Sequence, residues 1–174
     1  QGARLATQHL LDLGHETVWH VAGPEASYSA GRREASWRRT LEEAGREVPP
    51  VLRGDWSTTS GYALGREIAA RDDITAVFAS NDQMALGVIR ALHEAGRAIP
   101  DDVSVVGFDD MAESDSFWPP LTTVHQDFDV VGRLSLETLI REIESGPGEP
   151  TSTVVPTRLV TRSSTAPRQP SATL

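Results

Sequence analysis

Two stretches decide the fold: Thr75-Ala-Val-Phe-Ala-Ser-Asn-Asp-Gln-Met-Ala-Leu-Gly87 and Asp102-Val-Ser-Val-Val-Gly-Phe-Asp-Asp110. In each, a short β-branched, apolar run ends abruptly in polar residues, the signature of a strand buried on both faces. After Thr75–Ser80, the residues Ser80-Asn81-Asp82-Gln83 match a capping box, with Ser80 as cap and Gln83 three later. The helix that follows carries Met84, Val88, Ala91 and Ala95 on one stripe, with Ala85, Ile89 and Leu92 beside it, and stops at Gly96. A strand leading into a helix and then another buried strand implies parallel pairing.

The same alternation extends in both directions. Upstream, Ala6, Leu10 and Leu13 repeat at helical spacing and stop at Gly14. Val18–Ala22 reads as a strand, Ser29–Ala44 as a helix, and Val51–Arg53 as a brief strand before a helix running through Leu64 and Ile68. Downstream, Pro119-Pro120 introduces the extended Leu121–His125. Asp127–Ser145 predicts a long helix with Leu136, Leu139, Ile140 and Ile143 on its apolar side, closed by Gly146-Pro147. Thr151–Val155 and Arg158–Thr161 read as a terminal extended pair, and the Ser-, Thr- and Pro-rich tail from Ser163 reads as loose. The expected class is α/β: a parallel sheet with helices on both faces.

Such sheets bind ligands at the carboxyl ends of their strands. The residues there form a coherent set. Ser29, Arg32 and Arg33 follow the first strand, and Asp55 and Trp56 follow the second. Asn81 and Asp82, then Asp109 and Asp110, then Gln126 and Phe128 follow the others. Charged planar groups that bond vicinal hydroxyls, beside an aromatic face, suit a sugar. Plainer roles exist for several of them. Asn81 also suits a helix cap with Ser80, Trp56 a core aromatic, and Arg38 and Arg39 a solvated face; Trp19 and Trp37 read as packing or interface residues.

Composition narrows the function further. The 174 residues include no cysteine, which excludes disulfides and thiolate chemistry and fits a reducing cytosol. The net charge of -9 opposes phosphate-backbone binding by this chain itself. The apolar runs are too short to span a membrane. His15-Glu16 and His20 miss the metalloprotease spacing, so no metal or cofactor is expected. No P-loop, GxGxxG or GxSxG occurs, and adjacent Asp109 and Asp110 on an extended segment would point apart, so an enzyme is not expected.

The two opening stretches, with Pro119-Pro-Leu-Thr-Thr-Val-His-Gln-Asp-Phe128, resemble consecutive signatures of the LacI/GalR family of regulators. Gly54-Asp-Trp-Ser57, Ser29-Ala-Gly-Arg-Arg33 with Trp37, and Pro156–Pro167 resemble the family's lactose-regulating branch. The resemblance implies a type I periplasmic-binding-protein-like core, here a fragment comprising the C-terminal lobe and part of the N-terminal lobe. It assigns residues 1–13 and 127–145 to helices of the N-terminal lobe, 17–125 and 150–162 to the C-terminal lobe, and 163–174 to a flexible tail.

By the same resemblance, Arg33, Trp56, Asn81, Asp109, Gln126, Phe128 and Ser29 are expected to bind ligand. Met84, Val88, Ala91, Phe117 and Trp118 are expected at a homodimer interface. The implied function is a cytoplasmic, sugar-responsive allosteric repressor, its effector a sugar and its hinted subclass a galactoside. Operator DNA would be bound through a helix-turn-helix head outside this chain. The alternative is the sugar-binding protein of a transport system, which shares the fold.

Overall fold

The computed structural model describes residues 1–146 and 153–168. Its elements run α1 (Gly2–Asp12), β1 (Trp19–Ala22), α2 (Tyr28–Glu43), β2 (Leu52–Arg53), α3 (Thr58–Ala69), β3 (Ala76–Ala79), α4 (Asp82–Glu94), β4 (Ser104–Asp109), β5 (Thr122–His125), α5 (Phe128–Ser145) and β6 (Arg158–Val160). The sheet order is β2-β1-β3-β4-β5-β6. Every pairing from β2 to β5 is parallel, and β6 runs antiparallel to β5. The expected α/β class holds, with one antiparallel strand at an edge.

Alternation along the strands sorts the core into two layers. Trp19, Val21, Val77, Ala79 and Val105 pack with α3 and α4. Val18, Ala76, Phe78, Val106, Phe108 and Val124 pack with α1 and α2. Each fully buried side chain of this size contributes roughly 1.5–3 kcal/mol, so both helix layers are needed to hold the sheet.

The double stripe on α4 has an internal cause. One side of the helix meets the sheet and the other meets α3. A Cβ at Gly61 would lie 2.3 Å from the Met84 carbonyl oxygen, and one at Gly87 would lie 2.2 Å from that of Thr58. The expected dimer-interface set is corrected accordingly. Met84, Val88 and Ala91 are buried within the chain's own core, as is Phe117, while Trp118 alone of the five is exposed. A stripe wider than one contact reflects two contacts in the same chain.

Three further expectations are corrected. Helix α1, assigned by the resemblance to the other lobe, packs on this sheet: Ala3, Ala6 and Leu10 are buried in the same layer as α2, and Gly2 lies so close to Phe108 that a Cβ would clash. The segment from Ser163 to Arg168 is pinned rather than loose. The Ser164 hydroxyl donates to the Val105 carbonyl (2.6 Å) and accepts from the Thr122 N–H (2.8 Å), while the Arg168 N–H donates to the Leu13 carbonyl (2.8 Å). Its small polar side chains fit between strand ends, where a hydrophobic pattern is not needed. The α4 cap is Asn81, whose Oδ1 accepts from the Met84 N–H, and not Ser80.

At the other end, the expected extended pair is a single strand among the described residues, Arg158–Val160; residues 150–152 and 169–174 lie outside them. Helix α5 begins where the Asp127 carboxylate accepts from the Val130 N–H (2.9 Å). None of its residues is buried, and Leu136, Leu139, Ile140 and Ile143 stay exposed.

Gly61→Ala is expected to destabilise the fold by about 1–3 kcal/mol through overpacking. Gly31→Ala, on an open face of α2 where a Cβ meets nothing, should stabilise it by up to about 1 kcal/mol. Urea unfolding of both variants checks the difference in sign; equal effects would refute a tight α3–α4 approach.

Candidate ligand-binding site

The parallel strands all end on one edge, and the polar residues beyond them converge there. Arg33 projects from the second turn of α2, a helix whose Ser27 cap accepts from the Ala30 N–H. One of its guanidinium nitrogens donates to the Ser80 carbonyl and the other lies 3.3 Å from Asp109 Oδ1. The guanidinium also sits 3.8 Å from the Phe108 ring centroid and 5.6 Å from that of Trp56. Arg32, which also follows the first strand, is exposed and faces Tyr28. Gln126 Nε2 donates to the same Asp109 oxygen (2.8 Å), and Asn81 Nδ2 donates to the Trp56 carbonyl (3.0 Å).

Five expected residues are therefore together: Arg33, Trp56, Asn81, Asp109 and Gln126. Two are not. Ser29 is exposed and bonds only to the Ser27 hydroxyl among the described contacts, and Phe128 is exposed at the start of α5. Asp55 turns back to Ser57, whose N–H and hydroxyl it accepts, and these bonds with Ser60 hold its carboxyl down at about 2. Sequence reasoning missed Phe108, which underlies Arg33, because its place in a buried run reads as core. It also missed Ser80, which contributes only its carbonyl.

Asp109 and Asp110 do send their carboxylates to different partners, but not because the chain is extended. Both have left-handed backbone, with φ of 108° and 56°. Asp109 faces Arg33 and Gln126. Asp110 accepts from Arg162 (2.7 Å) and pairs with His125 Nδ1 (2.9 Å), which ties the turn to the neighbouring β5 and to the chain just past β6. Burial opposes the charge on Asp110, yet these bonds hold its carboxyl below the ordinary range.

Electrostatically, the centre of the site is a half-desolvated ion pair. Burial pushes the Asp109 carboxyl up, opposed chiefly by Arg33, and pushes the Arg33 guanidinium down, opposed by Asp109. The pair needs further hydrogen-bonding groups to offset that cost. Vicinal hydroxyls of a sugar would donate to Asp109 and accept from Arg33, with the Trp56 indole available to a ring's C–H face. Among the described residues, no group of three or more His, Cys, Asp or Glu side chains could hold a metal ion.

Residues 7–165 match the periplasmic binding protein-like domain. The chain belongs to that family, in the form found in LacI-family regulators. The lactose operon repressor of Klebsiella pneumoniae is 41% identical over 167 residues, covering 95% of this chain and 47% of the repressor. A structure of the lac repressor dimer bound to operator and the anti-inducer ONPF superposes with a TM-score of 0.88 at 37% identity, covering 95% of this chain and 58% of that one. A complex of the regulator CelR with cellobiose gives 0.89 at 37% identity, covering 94% and 51%. These relatives are transcription regulators rather than enzymes. The chain spans about half the length of the curated relatives it matches.

Beneath the candidate site lies His20, fully buried between the Trp37 and Phe78 rings. Nδ1 must carry the ring proton, because its partner is the Phe78 carbonyl (2.9 Å), which can only accept. Burial holds the imidazole down at about 4 from 6.5. The unfolded chain therefore binds this proton at a higher pH than the folded one. The corresponding stability, about 3 kcal/mol, is present above pH 6.5 and lost as pH falls towards 4. His20→Phe is expected to flatten the loss between pH 6.5 and 4 by up to that amount in denaturant unfolding. An unchanged slope would mean that His20 is not the group responsible.

Proposed function

We propose that this chain is the effector-sensing part of a sugar-responsive transcription repressor. The carrying observation is the Arg33–Asp109 pair, joined by Gln126 and flanked by Trp56 and Asn81 on one sheet edge. Ligand held there bridges α2, β4 and the chain leaving β5, so it has different contacts in different arrangements of those parts. A ligand shifts such an equilibrium only by its differential affinity for the two states.

The relatives' names support a sugar: one is a lactose operon repressor, and another was solved with cellobiose. Within that class we favour a galactoside, on Gly54–Ser57 and the lactose-repressor likeness. Operator DNA would be engaged through a segment outside this chain, since the net charge of -9 disfavours phosphate contact here. The regulator would act in the cytoplasm as a homodimer, with exposed Trp118 as the retained interface residue. Among the described residues, no helix is long and apolar enough to cross a membrane. Ser29 and Phe128 stay in the proposed ligand set as outer contacts, completed when the site is closed.

The test is a sugar screen by thermal shift on the full-length protein, galactosides and cellobiose included. One class of glycoside is expected to raise the melting temperature and alter operator affinity. Arg33→Ala and Asp109→Ala should each weaken that ligand about 10- to 150-fold, as loss of a charged hydrogen bond implies. Normal binding by both variants would refute the site. A sugar that binds without any effect on operator affinity would favour the transport reading.

A further inference from the structure

Among the described residues, three that are not glycine have left-handed backbone: Trp56, Asp109 and Asp110. All three border the candidate site. Such conformations cost of order 1–3 kcal/mol each and persist only where the surroundings hold them. Two consecutive side chains at the start of α4 do so. Asn81 holds Trp56 by its carbonyl. Asp82 holds the other turn.

Asp82 is fully buried and its carboxylate has three neutral donors. Oδ1 accepts from the Thr123 hydroxyl (2.6 Å), and Oδ2 accepts from the Ser114 hydroxyl (2.7 Å) and the Met111 N–H (2.9 Å). Met111 follows Asp109–Asp110, and Thr123 is the β5 partner of Gly107 just before them, so one carboxylate ties the turn down from both sides. The helix cap is already filled by Asn81, so capping does not require this charge. The sheet makes room for it: a Cβ at Gly107 would lie 2.2 Å from Asp82 Oδ1.

A buried carboxylate without a cationic partner is costly. An amide of the same size would cost less to bury but offers one acceptor oxygen where both are in use. We propose that Asp82 is the positioning residue of this site, fixing the left-handed Asp109–Asp110 turn so that Asp109 faces Arg33 and Gln126. It touches no ligand and acts through Asp109. The assignment rests on reading that edge as the sugar site, yet its test needs no sugar. A wild-type protein that bound no sugar would sink the proposed function and leave this result standing.

The test is NMR on the full chain without added ligand. The Arg33 guanidinium, 3.8 Å from the Phe108 ring centroid, is expected to show an upfield ring-current shift in the wild-type protein. Asp82→Asn is expected to abolish most of that shift and to speed amide exchange across Phe108–Ser116 by about 10-fold or more, with β1 and β3 unchanged. Ile68→Val, a core truncation away from the edge, lowers stability and should leave the Arg33 signal in place. Uniform acceleration with the Arg33 shift retained would overturn the proposal. If Asp82→Asn fails to fold, Ser114→Ala and Thr123→Val each remove one donor and keep the charge. Both must then move the Arg33 signal in the same direction, and unmoved signals would overturn it.

Discussion

Parallel pairing of β3 with β4 is the constraint on which the rest depends. Two parallel neighbours need a crossover, and α4 is that crossover, packed on one face of the sheet. Its first residues must therefore stand at the carboxyl edge, between the ends of both strands. From there Asn81 reaches the β2–α3 loop through Trp56, and Asp82 reaches the turn beyond β4. The β4–β5 pairing brings His125 opposite Asp109, which sets Gln126 beside it. The candidate site is thus a consequence of topology, with side chains converting a shared edge into a specific geometry.

Polar groups at this edge are kept in small, satisfied networks. Arg33, Asp109 and Gln126 form one; Asp110, His125 and Arg162 form another. Adjacent residues of one turn belong to different networks, which left-handed backbone at both positions makes possible. Behind them, neutral His20 lies in an aromatic stack with its proton on the Phe78 carbonyl. Burying these groups costs free energy that apolar residues would not, and the hydrogen bonds within each network offset part of that cost.

Much of this was legible in the sequence. Buried strands announced themselves as short β-branched runs, and the polar residues after each run named five members of the cluster. Legibility failed where one pattern serves two structures. The wide stripe on α4 signals two helix contacts, yet whether the second is α3 or another chain is decided by Gly61 and Gly87 in close approach. Helix α1 carries the same periodicity whichever sheet covers it. Ser164 is invisible to hydrophobic patterning because its worth lies in bonding two strand backbones. Asp82 sits within one of the two opening stretches, but its burial depends on donors from residues 111, 114 and 123, which proximity in sequence does not reveal.

The proposed function turns on whether a sugar is held by the Arg33–Asp109 pair at the carboxyl edge. A crystal structure of the full-length protein with its best-binding glycoside tests it most directly. Sugar hydroxyls are expected within hydrogen-bond distance of both Arg33 and Asp109, with the ring against Trp56. Density instead in the cleft between α5 and residues 153–155, with the Arg33–Asp109 pair untouched, would contradict it.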